Sequence, residues 1–199
     1  YVRHLGRSIY DPQVIGLLLV VIGLFAIEFG AFYTFTPVLA GTVMGASASV
    51  IGMIFSSTSI SLAFIAFLVG LFARRLSEIK LIKVALIIFA VSLLLIFQAP
   101  NVGLLLIPSV LIGAVSGMAF PSIQALLAKF APEGYRAGFM SMNVSVQACG
   151  RALGPIIAAI ALQWGGMPAI YYGGAAMTLV ILVVFHFLLI PRQQDRKKS

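Results

Sequence analysis

Apolar residues along this chain gather in six long runs, at 14–40, 48–73, 81–97, 102–127, 137–162 and 167–190. A helix needs roughly 20 apolar residues to cross a hydrocarbon core of about 30 Å, so each run predicts a spanning helix; the third is the shortest. Turn-forming residues separate them: Gly41 and Gly45, Pro100 and Asn101, Pro132 and Gly134, Gly165 and Gly166. The pattern predicts an all-α membrane protein with one six-helix domain over 13–190. An interfacial linker, 1–12, precedes it, with Asp11-Pro12 marking a helix start. A basic tail, 191–199, follows.

Composition supports lipid as part of the solvent. Of 199 residues, 61% are hydrophobic and 9% charged, and the mean hydropathy is +1.12. Soluble domains average about 45–50% apolar and about 25% charged residues, and a water-soluble fold of this length cannot hide so much apolar surface. The net charge of +8 therefore reports membrane topology, not nucleic-acid binding. Arg3 and Arg7 precede the first run. Arg74, Arg75, Lys80 and Lys83 surround the second break, Lys129 and Arg136 flank the fourth, and Arg192, Arg196, Lys197 and Lys198 lie in the tail. The first, third and fifth breaks carry no charge. Basic residues concentrate in cytoplasmic loops, which predicts both termini in the cytoplasm.

The chain opens on Tyr1, and its first apolar run is too long for a signal-peptide core of about 7–15 residues. It reads as a spanning helix with sequence lost upstream. The lone Cys149 reads as a packing residue.

Glu28 and Arg151 lie deep inside apolar runs. An ionisable side chain near the bilayer centre costs about 2.5–3.5 kcal/mol on insertion scales, which marks it as a functional candidate. Each lies fourteen residues from the start of its run, about 21 Å along a helix that enters from the cytoplasmic side. The equal depth predicts that the two charges face each other across the bundle interior. Asn143, Gln147 and Arg151 form a polar stripe at four-residue spacing, and Phe25, Glu28, Phe32 and Phe35 form a matching aromatic stripe, with Tyr33, Thr34 and Thr36 nearby. Two interpretations stay open at this level: a structural ion pair that locks two helices, or a protonatable, substrate-contacting pair in a cavity. In the second, Arg151 holds Glu28 ionised until substrate or movement separates them.

Gly150, Gly154 and Ala158 make a ladder of small residues with Pro155 inside it, Gly113 and Gly117 make another between Pro108 and Pro121, and the first run carries Gly23, Gly30 and Pro37. Such ladders allow close helix approach, and proline bends a helix. The hydroxyls of Ser56, Ser57, Thr58, Ser59 and Ser61 are expected to bond back to their own helix. His186 reads as interfacial. No His-rich or paired-acid cluster for a metal, no nucleotide-binding glycine loop and no nucleophile beside a credible base is present in the sequence, which argues against an enzyme and against a bound metal or cofactor.

Several stretches resemble the C-terminal six-helix half of a major facilitator superfamily transporter. They are Thr36-Pro37-Val38-Leu39, then Met44-Gly45-Ala46-Ser47 and Ile51-Gly52, and the loop from Gly70 through Arg74 and Arg75 to Lys80. That loop is similar to the family's cytoplasmic gating loop, with Arg74 where an aspartate is usual and Ser77 where a glycine is usual. Pro132-Glu133, Arg136, Ser141, Asn143 and Gly150 through Gly154-Pro155 resemble the stretch into the eleventh helix of drug/proton antiporters.

The resemblance implies half of a twelve-helix carrier in a bacterial or archaeal cell membrane, working by alternating access. Its partners would be the lipid bilayer, a small-molecule substrate and the missing N-terminal half. It also implies that helices one and four line the cavity and helices three and six face lipid. On that reading Glu28 takes a proton or cation, Arg151 counters it, and Asn143 and Gln147 orient polar groups of a small amphipathic solute held by Phe25, Phe32 and Phe35 during proton-coupled efflux. The alternatives are an organic-anion carrier that uses Arg151 as substrate ligand, and a non-transporting six-helix scaffold.

Overall fold

The structure, a computed structural model of the chain, describes residues 12–71, 77–131 and 134–189. Among them, five helices are long and apolar enough to cross a membrane. These are α1 (Gln13–Val43), α2 (Ala48–Leu71), α3 (Glu78–Gln98), α4 (Val102–Phe130) and α5 (Arg136–Leu189). The expected linker up to residue 11, the tail from residue 190, and Arg74 and Arg75 of the expected gating loop lie outside the described residues.

As one rod, the 54 residues of α5 would measure about 80 Å, far more than a bilayer. They do not form one rod. Gly165 and Gly166 leave helical geometry, with Gly166 at φ +68° and ψ −164°, a conformation open mainly to glycine. The arms on either side, 136–164 and 167–189, both pack on α1 but in opposite senses. Gly150 and Gly154 lie against Ile22 and Ala26, so the first arm runs parallel to α1. Gly174, Gly23 and Gly16 lie against Ile27, Ile181 and Leu188, so the second arm runs antiparallel. The chain reverses at the charge-free glycine pair.

Other contacts show the same alternation of direction. Lys129 near the end of α4 pairs with Glu78 at the start of α3, and Lys83 of α3 meets His186 near the end of α5. The basic residues of the described helix ends thus collect at one end of the bundle. Trp164, 87% exposed, sits beside the glycine reversal at the other end, a position suited to a membrane interface.

The second half of α1 is not ordinary α-helix. From Glu28 to Phe35 it is a π-helix, followed by the three-residue α-turn Thr36–Val38 and a second π-helical stretch, Leu39–Val43. Pro37 supplies the physical reason: it offers no N–H to the carbonyl four residues back, and its ring crowds that carbonyl. The helix widens upstream, and threonine hydroxyls fill the altered register. Thr34 Oγ1 donates to the Phe29 carbonyl at 2.8 Å, and Thr36 Oγ1 donates to that of Ala31 at 3.3 Å.

Close approach of helices rests on the small-residue ladders. A Cβ on Gly150 would lie 2.8 Å from the Ile22 carbonyl oxygen, and one on Gly30 would lie 2.5 Å from that of Gly154. Likewise α4 presses on α2 through Gly113, which faces the Thr58 carbonyl, and Gly117, where a Cβ would sit 2.7 Å from the Leu62 carbonyl oxygen. On α2, the hydroxyls of Ser57, Thr58 and Ser59 return to carbonyls of their own helix, whereas Ser61 donates across to Val110 of α4 at 2.7 Å. Only Ile54 and Thr58 of α2 are buried. Its outer side shows Met53, Ile60, Phe64, Phe67 and Leu71.

Candidate functional site

Glu28 begins the π-helical stretch of α1 and is 2% exposed. Its Oε1 accepts a 2.8 Å hydrogen bond from the Ser116 hydroxyl of α4, which also contacts the Ile112 carbonyl of its own helix. Its Oε2 is buried without a hydrogen-bond partner. Close by, Phe25 of α1 stacks on Phe120 of α4, with centroids 4.9 Å apart and planes 7° from parallel. These contacts join α1 and α4 at mid-span.

Arg151 does not pair with Glu28. Among the described residues, no carboxylate oxygen lies within 4 Å of its guanidinium; the one ion pair found is Lys129–Glu78. The side chain is exposed and donates to Gln147 Oε1 at 3.1 Å, one turn back. Its guanidinium carbon sits 4.9 Å from the centroid of Phe25 and 5.4 Å from that of Phe29, cation–π distances that steady a cation on an aromatic floor. The floor continues outward. Phe29 meets Tyr33 at 4.8 Å, and Tyr33 stacks on Phe55 of α2 at 5.6 Å.

Two structural devices put Arg151 there. Gly150 and Gly154 bracket it and bring its arm hard against Ile22 and Ala26 of α1. Pro155, inside the helix, has no N–H to donate to the Arg151 carbonyl four residues back. The site thus has two parts: a sealed acid bonded to a serine, and an open cation on aromatic rings beside a carboxamide.

Residues 17–199 match the Major Facilitator Superfamily. The chain belongs to that superfamily, and it is an integral multi-pass membrane protein. Within the superfamily it is similar to Probable anion transporter 5 of Arabidopsis thaliana, with 26% identity over 132 residues, 65% of this chain and 31% of that protein. The chain therefore spans less than a third of that relative's length.

In this superfamily member the stripe predicted on α1 lies in the packed interior, with Phe25 buried as well. Phe32, Phe35 and Glu28 turn into the packed interior, while Tyr33 is 37% exposed. Phe29, outside the stripe predicted at 25, 28, 32 and 35, is the ring beneath Arg151. The π-helical stretch is the reason, since its wider turn brings Phe29 and Tyr33 toward the surface beyond the buried Phe25. On α5, Asn143 is buried with its Oδ1 unpartnered, apart from the Gln147–Arg151 bond. Gly70, expected in the gating loop, is exposed with open space where a Cβ would go. Sequence reasoning missed Ser116, Phe55 and Phe120. Ser116 had a signal, because it lies between Gly113 and Gly117 of a close-approach ladder. The two phenylalanines had none in an aromatic-rich membrane chain.

Proposed function

We propose that this chain is the six-helix half of a twelve-helix carrier that moves a small amphipathic organic anion by alternating access, with Arg151 as the anion's ligand. The observation that carries this reading is the state of Arg151: exposed, without a carboxylate within 4 Å among the described residues, and held on Phe25 and Phe29 by Gln147. A guanidinium presents a planar fork of donors that matches a carboxylate or phosphate. The Phe25, Phe29, Tyr33 and Phe55 rings offer contact for an apolar body, and the name of the Arabidopsis relative agrees with an anionic cargo. Counting the arms of α5 as two spans makes six, with the basic end inside by the positive-inside rule. The apolar outer side of α2 and Ile156, Ile157 and Ile160 of the first arm supply surface for the other half and for lipid.

The test is substrate-protected transport by the complete carrier in proteoliposomes. Arg151→Gln is expected to raise the organic-anion concentration needed for half-maximal uptake at least about tenfold and leave the folded yield unchanged. An unchanged half-maximal concentration would remove Arg151 from substrate binding. A cysteine placed at Gln147 separates a carrier from a scaffold. It is expected to react with a soluble thiol reagent and to be protected by substrate; no reaction from either side would make transport through this face untenable.

A second reading, proton-coupled efflux of an amphipathic drug in a bacterial or archaeal cell membrane, is favoured by one observation. Glu28 is buried, with one oxygen on Ser116 and the other without a partner, an arrangement that accommodates a bound proton. Glu28→Gln is expected to keep the fold and to uncouple transport from the proton gradient. Unaltered gradient-driven accumulation would exclude Glu28 from coupling.

A further inference from the structure

At the basic end of the bundle, away from the Glu28–Arg151 region, Lys83 of α3 and His186 of the second arm of α5 lie 3.0 Å apart, Nζ to Nδ1. An ammonium can only donate, so Nδ1 accepts and the imidazole carries its proton on Nε2. The pair therefore holds unused N–H groups on both residues and gives no acceptor. Among the described residues, no ion pair joins either side chain to a carboxylate, and the nearby acid in sequence, Glu78, is engaged by Lys129. Lys83 is five residues into its helix, about 7.5 Å along the axis, and His186 is three residues from the last residue of α5. Both sit close to a helix end at the basic end of the bundle.

The surface around the pair is apolar and exposed. Val84, Ile87 and Val91 continue along α3, and Val180, Val183 and Phe187 along the second arm, all exposed. The pair thus crowns a seam between two apolar helix faces. A cation at that depth needs a counter-charge from somewhere, and the molecule that brings an anion and acyl chains together to this level is a phospholipid. Basic pockets between spanning helices at the inner face bind anionic headgroups in this way.

We infer that Lys83 and His186 form a binding site for the phosphate of an anionic phospholipid, whose acyl chains lie along the α3–α5 seam. Lys80, exposed one turn before Lys83, adds a further positive charge at the rim. The site ties the outer pair of helices together through a lipid and does not depend on what Arg151 binds.

The experiment is native mass spectrometry of the complete carrier released from nanodiscs of phosphatidylglycerol and phosphatidylcholine. The folded protein is expected to retain phosphatidylglycerol selectively. Loss of about one unit of charge costs about 1 kcal/mol at a membrane surface, so K83Q should weaken retention about fivefold. K83Q with H186Q should abolish selectivity. K83R, which keeps the charge, should preserve it and guards against misfolding of the neutral variants. Lys129→Gln removes a cation from the same end that already has a carboxylate partner, and it should leave retention unchanged. An equal fall for Lys129→Gln would mean diffuse attraction and no site. Displacement by millimolar inorganic phosphate would make the ligand a free anion and overturn the lipid assignment, as would undiminished retention in the double variant.

Discussion

Glu28 and Arg151 are opposite charges at one depth, yet the protein treats them in opposite ways. The acid is sealed between α1 and α4 and answered by a neutral hydroxyl. The base is exposed and answered by aromatic faces and a carboxamide. A tight ion pair would spend each charge on the other and leave neither available. On the readings proposed above, keeping them apart leaves one group to hold a proton out of water and the other to hold an anion in it. The angle around a helix axis, more than depth in the membrane, sets what a buried charge does.

The strongest way to break this comparison is to push the first arm of α5 off α1. Gly154→Leu places a side chain into the Ala26 backbone and should cost about 3 kcal/mol or more. Thermal unfolding and the yield of folded carrier should both fall sharply. Gly52→Leu, where a Cβ meets nothing, is the matched control and should be tolerated.

Arg151→Gln tests the open half directly. Hydrogen bonds to a charged group contribute about 1.5–3 kcal/mol, so equilibrium binding of an organic anion should weaken roughly tenfold to a hundredfold. Arg151→Lys should recover only part of this, because a point charge lacks the planar fork.

A double-mutant cycle sharpens the contrast further. Ser116→Ala leaves Glu28 with no hydroxyl partner and should cost about 1–3 kcal/mol in stability, an effect that Glu28→Leu, which removes the acceptor, largely absorbs. The same cycle between Glu28 and Arg151 should give a smaller coupling, from through-space attraction without a direct contact. A coupling as large as the serine one would mean the two charges meet in another state of the transport cycle. The smallest effect expected is at the aromatic floor. Phe29→Ala should weaken anion binding by about 0.5–1 kcal/mol through loss of one cation–π contact, measured by isothermal titration. Phe35→Ala, buried and away from Arg151, should lower stability and spare binding.

The elements themselves were largely legible in the chain. Apolar runs of spanning length located all the helices described, because hydrocarbon thickness imposes a length on any segment that crosses it. The Gly165–Gly166 break, too, was visible as a turn. Helix ends were less legible: α3 begins at Glu78 and α4 continues to Phe130, since charged residues extend a helix past its apolar part and pair there. The site was half legible. Rarity singled out Glu28 and Arg151, rise per residue set their depths, and a 3.6-residue period found the buried face of α1 but not Phe29 beneath Arg151.

What the sequence determined by itself is the membrane class, the spans, the end of the bundle that holds the positive charge, and the two mid-membrane ionisable residues. These follow from transfer free energies, which act on segments one at a time. Only the tertiary structure decided which neighbours those residues have. Pro37 and the two threonines widen α1 into a π-helix and rotate Phe29 outward, and Gly150 and Gly154 set the first arm of α5 against Ile22 and Ala26. Through those contacts between helices, Ser116 became the partner of Glu28 and the aromatic rings became the seat of Arg151.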